Sequence, residues 1–185
     1  MNSYKYHPKT KEELRNLIKQ RIKEEGYEVD LNDIDVSEIT DMSYLFRNLN
    51  FCGDVSNWDV SKVKYMSFAF YGCEKFNSDI SNWDVSNVID MDYMFKGCKN
   101  FDQDISNWNV SKVTSMDGMF SGCEKFNQDI SGWNVSKVTI MDEMFYNCRV
   151  FNQDISGWNV SNVIYMGNMF DRCPIKDKYK PKFNE

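Results

Sequence analysis

The chain has 185 residues, 42% of them hydrophobic and 15% aromatic, with only 3 prolines, a composition that fits one ordinary domain or one short repeat array and excludes a disordered chain. Its 22 basic residues stand against 28 acidic ones, a net charge of -6, so the concentrated basic face of a nucleic-acid binder is missing. No stretch approaches the roughly 20 apolar residues of a membrane span, and the N-terminus lacks the apolar core of a signal peptide, so the sequence as written predicts a soluble, cytoplasmic chain.

Residues 1–26 read as an N-terminal capping helix. Thr10-Lys11-Glu12-Glu13 has the form of a capping box, Leu14, Leu17, Ile18 and Ile22 form one apolar stripe, and Gly26 fits a C-cap. Such an amphipathic helix is expected to cover the open end of the remaining chain.

Residues 27–173 form a repeat array. The 5 tryptophans, Trp58, Trp83, Trp108, Trp133 and Trp158, recur every 25 residues without a slip. Methionine (Met66 to Met166), phenylalanine (Phe70 to Phe170, then Phe76 to Phe151) and cysteine (Cys73 to Cys173) keep the same period. A shift of 24 reveals a diverged earlier copy, with Ile34 in the Trp slot, Met42 in the Met slot and Leu49 in the Cys slot. Upstream of it, Asp30-Leu31-Asn32 matches Asp54-Val55-Ser56 and Asp79-Ile80-Ser81, so the array holds six such segments, the last at Asp154-Ile155-Ser156. A unit this short cannot bury its own apolar side chains, so neighbours must stack. The alternation in Asp79-Ile80-Ser81 predicts a short strand, and the spacing of Val63, Met66, Ala69, Phe70 and Cys73 by threes and fours predicts a short helix. The expected fold is therefore an α/β solenoid with six parallel strand rungs. Residues 174–185 form a C-terminal tail in which Lys178-Tyr179-Lys180 falls one repeat beyond the last rung and Pro181 removes a donor, as expected of a segment that blunts an edge.

The strings FNQDISGWNVSNV and VSKVTSMDGMFSGC, with the leader PKTKEELRNLIKQRIKEEG, closely resemble the BspA-like leucine-rich-repeat bacterial surface proteins, whose 25-residue unit also occurs in surface lipoproteins of the mycoplasma type. The resemblance spans about residues 5–173. It implies a leucine-rich-repeat-like, right-handed coil, and a role in cell adhesion, surface display or binding of a partner protein at the cell surface or after secretion.

For catalysis the reading is negative. The sole histidine, His7, lies outside the array, and no nucleophile elbow, phosphate loop or zinc-protease string is present. The cysteine column reads as buried, reduced thiols, with Cys52 the exposed exception, and the neighbouring Met and Cys columns read as core rather than as a copper(I) site. The Asp column, Asp30 to Asp154, either caps turn N–H groups or binds calcium between rungs. The tryptophan column either fills the core or offers a stacking platform for sugars. No cofactor or metal is assigned. The Asn-Val-Ser triplets at Asn109, Asn134 and Asn159 match a glycosylation acceptor, which the repeat alone would multiply.

Specificity in a repeat protein lies where the copies differ. Tyr44, Phe68 and Tyr93 share one slot in successive units, where later units carry Gly118, Glu143 and Asn168. Tyr65 and Tyr71 flank Phe68 at three-residue spacing, and Arg47, Lys64, Lys75 and Lys96 lie nearby. Aromatics with basic neighbours suit an interface, so the expected function is a non-catalytic, monomeric protein-binding module with Tyr44, Tyr65, Phe68, Tyr71 and Tyr93 as its candidate binding residues. The alternatives are a glycan binder, a structural rod, or rings that merely pack over the coil edges.

Overall fold

The computed structural model describes residues 4–183. One α-helix, α1, runs over Lys11–Glu25, and a 3-10 turn covers Asp177–Tyr179. The Thr10 hydroxyl accepts from the Glu13 N–H, while the Glu13 carboxylate reaches past Thr10 to the Lys9 N–H at 2.7 Å. Gly26 closes the helix at φ 93 with its N–H on the Ile22 carbonyl. Leu14 and Ile18 seal the end of the array. Arg21 is buried beside them, where Asp33, Glu25 and the Asp30 carbonyl occupy its guanidinium.

The array itself overturns the strand-plus-helix solenoid and its leucine-rich-repeat character. Among the described residues the repeat contains no helix and no sheet, only isolated parallel bridges. The bridges run Asp41 to Tyr65, Asp90, Ser115, Ile140 and Tyr165, a different column from the six expected rungs, of which only Asp30 and Asp54 are bridged.

Turns replace the helix. The N–H groups of Ala69, Tyr71 and Cys73 bond back three residues to the carbonyls of Met66, Phe68 and Phe70, and φ is positive at Phe68 (57) and Gly72 (74). A three-back bond with a positive φ at the third residue, as in Met66–Ala69 and Phe70–Cys73, is the signature of a type II turn. Successive turns of this kind bury residues at spacings of three and four, which is the pattern a helix would also produce. They leave alternate N–H groups pointing along the stack: those of Met66, Phe68, Phe70 and Gly72 donate to the Asp90, Asp92, Met94 and Lys96 carbonyls of the next coil at 2.8–2.9 Å.

Side chains replace the strand. Asn77 accepts from the Asp102 N–H, Asp102 from the Asn127 N–H, and Asn127 from the Asn152 N–H, while Gln128 and Gln153 donate to the Asp102 and Asn127 carbonyls. These bonds take the place of a backbone ladder, so no sheet forms. The six residues Leu31, Val55, Ile80, Ile105, Ile130 and Ile155 are nonetheless fully buried.

The core is a set of continuous columns. Trp58 and Trp83 stack at 6.5 Å and 3°, and each indole N–H bonds a carbonyl of the preceding coil, as in Trp83 to Val55. The tryptophan column is buried, so it offers no platform to a sugar. The cysteines are free; Cys98 Sγ sits 3.1 Å from the Phe70 carbonyl oxygen. Burial pushes the Cys73 thiol up to about 12 and those of Cys98, Cys123 and Cys148 well above the ordinary range. At the far end, the Ile155 N–H donates to the Tyr179 carbonyl, so Lys178-Tyr179-Lys180 does lie in the next rung, with Ile175 and Pro181 buried.

Ile105→Asp puts a carboxylate in the closed core and should lower stability by about 3–5 kcal/mol, read as the unfolding midpoint in urea; an unchanged midpoint would place Ile105 outside the core. In the native protein, thiol titration should find Cys52 and also Cys173, which is half-buried because no further coil covers it. Only denaturation should expose the other four.

Candidate binding surface

The slot that distinguishes the copies lies at a left-handed backbone position. Tyr44 (φ 63), Phe68 (57), Tyr93 (55), Gly118 (54), Glu143 (51) and Asn168 (54) are its occupants. Such a conformation suits glycine or asparagine and disfavours a bulky residue. Tyr44, Phe68 and Tyr93 therefore hold their rings outward against a backbone preference.

The three rings form a strip across successive coils. Tyr44 and Phe68 stack at 4.8 Å and 7°, and Phe68 meets Tyr93 at 4.8 Å and 31°. Tyr71 joins from its own coil at 5.6 Å from Phe68. The Arg47 guanidinium lies 5.4 Å from the ring centres of Tyr44, Phe68 and Tyr71 alike, and Lys96 is 5.0 Å from Tyr93. Tyr44 is 41% exposed; Phe68, Tyr71 and Tyr93 are half-buried by one another and by the coil edge. Tyr65 is 42% exposed, but among the described residues no ring pairing joins it to the other four. Its backbone serves the stack instead, bridging Asp41 and Asp90. Lys64 and Lys75 are exposed, and Lys75 lines a hollow beside Tyr27 and Cys52 rather than the strip.

The strip ends at Gly118 for a steric reason. A Cβ there would collide with the edge of the Tyr93 ring. Beyond it the surface turns acidic, a feature that residue types alone do not disclose. The Tyr93 hydroxyl donates a very short bond to the Asp117 carboxylate, and Asp92 accepts from the Ser115 hydroxyl and the Asp117 N–H. The other Asp117 oxygen is buried with no partner among the described residues. Lys96 bonds Glu143 at 2.9 Å across this patch. A shallow groove of about 320 Å³ adjoins the strip, lined by Tyr71, Gly72, Lys96, Gly97, Ser121 and Tyr146.

The Asp column beside the tryptophans carries turns. Asp79, Asp104, Asp129 and Asp154 each accept from the N–H of the serine two residues on, at 2.9–3.1 Å, and hydrogen bonding by that serine, its side chain first and its N–H second, holds the carboxyls below their usual range. Asn109, Asn134 and Asn159 make the same bond to Ser111, Ser136 and Ser161. No cluster of three metal-ligating His, Cys, Asp or Glu side chains occurs among the described residues, and no helix is long and apolar enough to cross a membrane.

A family model described as "Mycoplasma protein of unknown function, DUF285" matches residues 13–105 and again residues 82–181. The chain belongs to that repeat family. This supports the mycoplasma side of the resemblance, while the family's description names neither BspA nor leucine-rich repeats. No curated protein and no solved structure matches the chain.

The acidic patch and the turn aspartates should respond to pH with opposite sign. Burial raises the carboxyls of Asp92 and Asp117, so their stability contribution is full below the unfolded value of about 4 and is lost as pH rises through the folded value. Asp117→Asn should therefore raise the melting temperature at pH 7, with the gain shrinking towards pH 4. Asp104, whose carboxyl is lowered by its Ser106 bonds, stabilises at neutral pH and loses that contribution in acid. Asp104→Ala, which removes the acceptor, should lower the melting temperature at pH 7, and thermal melts of both variants across this range check the pair of signs.

Proposed function

We propose that this family member is a non-catalytic protein-binding module, adhesin-like or scaffold-like, whose contact surface is the strip of Tyr44, Phe68, Tyr71 and Tyr93 under Arg47. The observation that carries the reading is the pairing of outward aromatic rings with a left-handed backbone slot. Backbone outliers that a fold retains at a loss of stability cluster at functional positions. Glycine fills the same slot in one coil and asparagine in another, so the stack itself does not require rings there. Rigid aromatic faces with a guanidinium between them also match the composition of interface hot spots.

The glycan alternative drew on the tryptophan column, whose burial removes its support. A structural rod is the alternative that a substitution at Phe68 distinguishes.

Phe68→Gly separates the readings. Removing the ring loses its stacking, while glycine relieves about 1 kcal/mol of left-handed backbone strain, so the expected net change in stability is within about 1 kcal/mol of zero. Loss of an anchoring aromatic from an interface should weaken partner capture by about tenfold or more. The check is a thermal melt together with quantified capture on immobilised protein. Unaltered capture, or a stability loss beyond about 3 kcal/mol, would leave the ring a packing element of a rod.

A further inference from the structure

The coil stack is polar along its length, and its two ends are chemically unlike. Within the turn segment of each coil, from Met66 to Gly72 and its equivalents, alternate N–H groups point towards the next coil and alternate carbonyls towards the previous one, while the remaining carbonyls accept the three-back turn bonds. The last coil obeys the same rule. The carbonyls of Tyr165, Gly167, Met169 and Asp171 accept from Met141, Glu143, Phe145 and Asn147, and those of Met166, Asn168 and Phe170 accept turn bonds. The N–H groups of Met166, Asn168, Phe170 and Arg172 point onward with no acceptor among the described residues. This end is thus a run of four donors, preceded by the carbonyl of Ile164, whose counterpart Thr139 accepts from Ile164 and Tyr165.

The tail does not cover it. Ile175, Tyr179 and Pro181 close the side that carries the Ile155 column. On the turn side, Ile164 is 70% exposed, Tyr165 56% and Met166 40%, whereas the counterpart of Met166 in the preceding coil, Met141, is fully buried.

A run of four successive donors restricts its occupant. An ordinary strand edge alternates donors and acceptors on one side and would satisfy only half of it. Two copies meeting through these ends would bring donors to donors. What matches is the opposite end of such a stack, where the carbonyls of Asp41, Ser43, Leu45 and Arg47 stand at the positions that accept from the preceding coil elsewhere, as Tyr65, Ser67, Ala69 and Tyr71 do. In this chain α1 lies over that end, and Arg15 takes the Leu45 carbonyl at 3.1 Å.

We propose that the C-terminal face formed by Met166, Asn168, Phe170 and Arg172, with Ile164 and Tyr165 beside it, docks the uncapped first coil of a second array of this repeat, continuing the hydrogen-bond row seen between every pair of internal coils. The inference is independent of the aromatic strip, which lies at the other end of the stack. The capping helix then acts as the element that keeps the protein from joining its own kind head to tail.

The test uses the full chain twice. Uniformly nitrogen-15-labelled protein is the receptor, and the same chain carrying Leu14→Asp and Ile18→Asp, which detach α1 without deleting it, is the probe. Alone, the receptor should be monomeric, with the four onward amides exchanging at least about a hundredfold faster than those of Met141, Glu143, Phe145 and Asn147. Added probe should shift those four amides and slow their exchange by about tenfold or more, and Ile164→Lys with Met166→Lys in the receptor should abolish the effect. The probe alone, with both ends open, should grow into open-ended chains. If the probe fails to fold, as judged by tryptophan fluorescence, a peptide of residues 138–149, which supplies the carbonyls of Ile140, Asp142, Met144 and Tyr146, takes its place. Onward amides left unchanged by the folded probe or by the peptide, or a response that survives the lysine substitutions, overturns the proposal.

Discussion

The inter-coil hydrogen-bond row on which the rest of the structure depends exists because the backbone turns left-handed at two positions in each unit. A chain of ordinary residues in that conformation is unfavourable, and a helix would direct its N–H groups along its own axis. With positive φ at Phe68 and again at Gly72, the intervening turns fold tightly and free alternate N–H groups to bond the next coil. Across the turn segment each coil is thereby held to its neighbours by donors on one face and acceptors on the other, and this arrangement dictates the stacking order, the burial of the cysteine column and the unlike ends.

That row also explains how the core tolerates so many rings. The spacing between coils is set by backbone bonds on one side and by the Asn, Asp and Gln side-chain ladder on the other. At that spacing identical aromatic residues fall into register, with Phe95 over Phe120 at 5.9 Å and Trp108 over Trp133 at 6.5 Å. Indole N–H groups and thiols bond carbonyls of the preceding coil, so the core has few polar atoms left unpaired. The buried Asp117 oxygen is the exception, and it sits where the aromatic strip gives way to the acidic patch.

The same constraint ties surface to backbone. One left-handed position, Gly72 and its equivalents, takes glycine or asparagine in most copies, while the other carries the varied slot of Tyr44, Phe68 and Tyr93. Variation is concentrated at outward-facing positions because most inward ones are matched to their neighbours above and below. The strip with Arg47, the acidic run next to it and the bare donor row at the far end are therefore distinct features placed along one uniform stack.

The sequence alone determined the repeat, its period, the buried columns, the helix with its caps, the rung taken by Lys178-Tyr179-Lys180 and the slot in which the coils differ. Those are properties of residue type and spacing. It did not determine that the repeat lacks strands and helices, because successive type II turns bury residues at the same three- and four-residue intervals as a helix, and the Asp-Ile-Ser alternation is equally served by side-chain ladders. The glycine or asparagine one residue before the cysteine slot was the available signal. Nor did residue types reveal that Arg47 sits over three rings, that Tyr65 stands apart from them, or that Arg21, Asp92 and Asp117 lie in partly closed surroundings. Those are relations between residues about one coil apart or more, and only the stacking of coils brings them together.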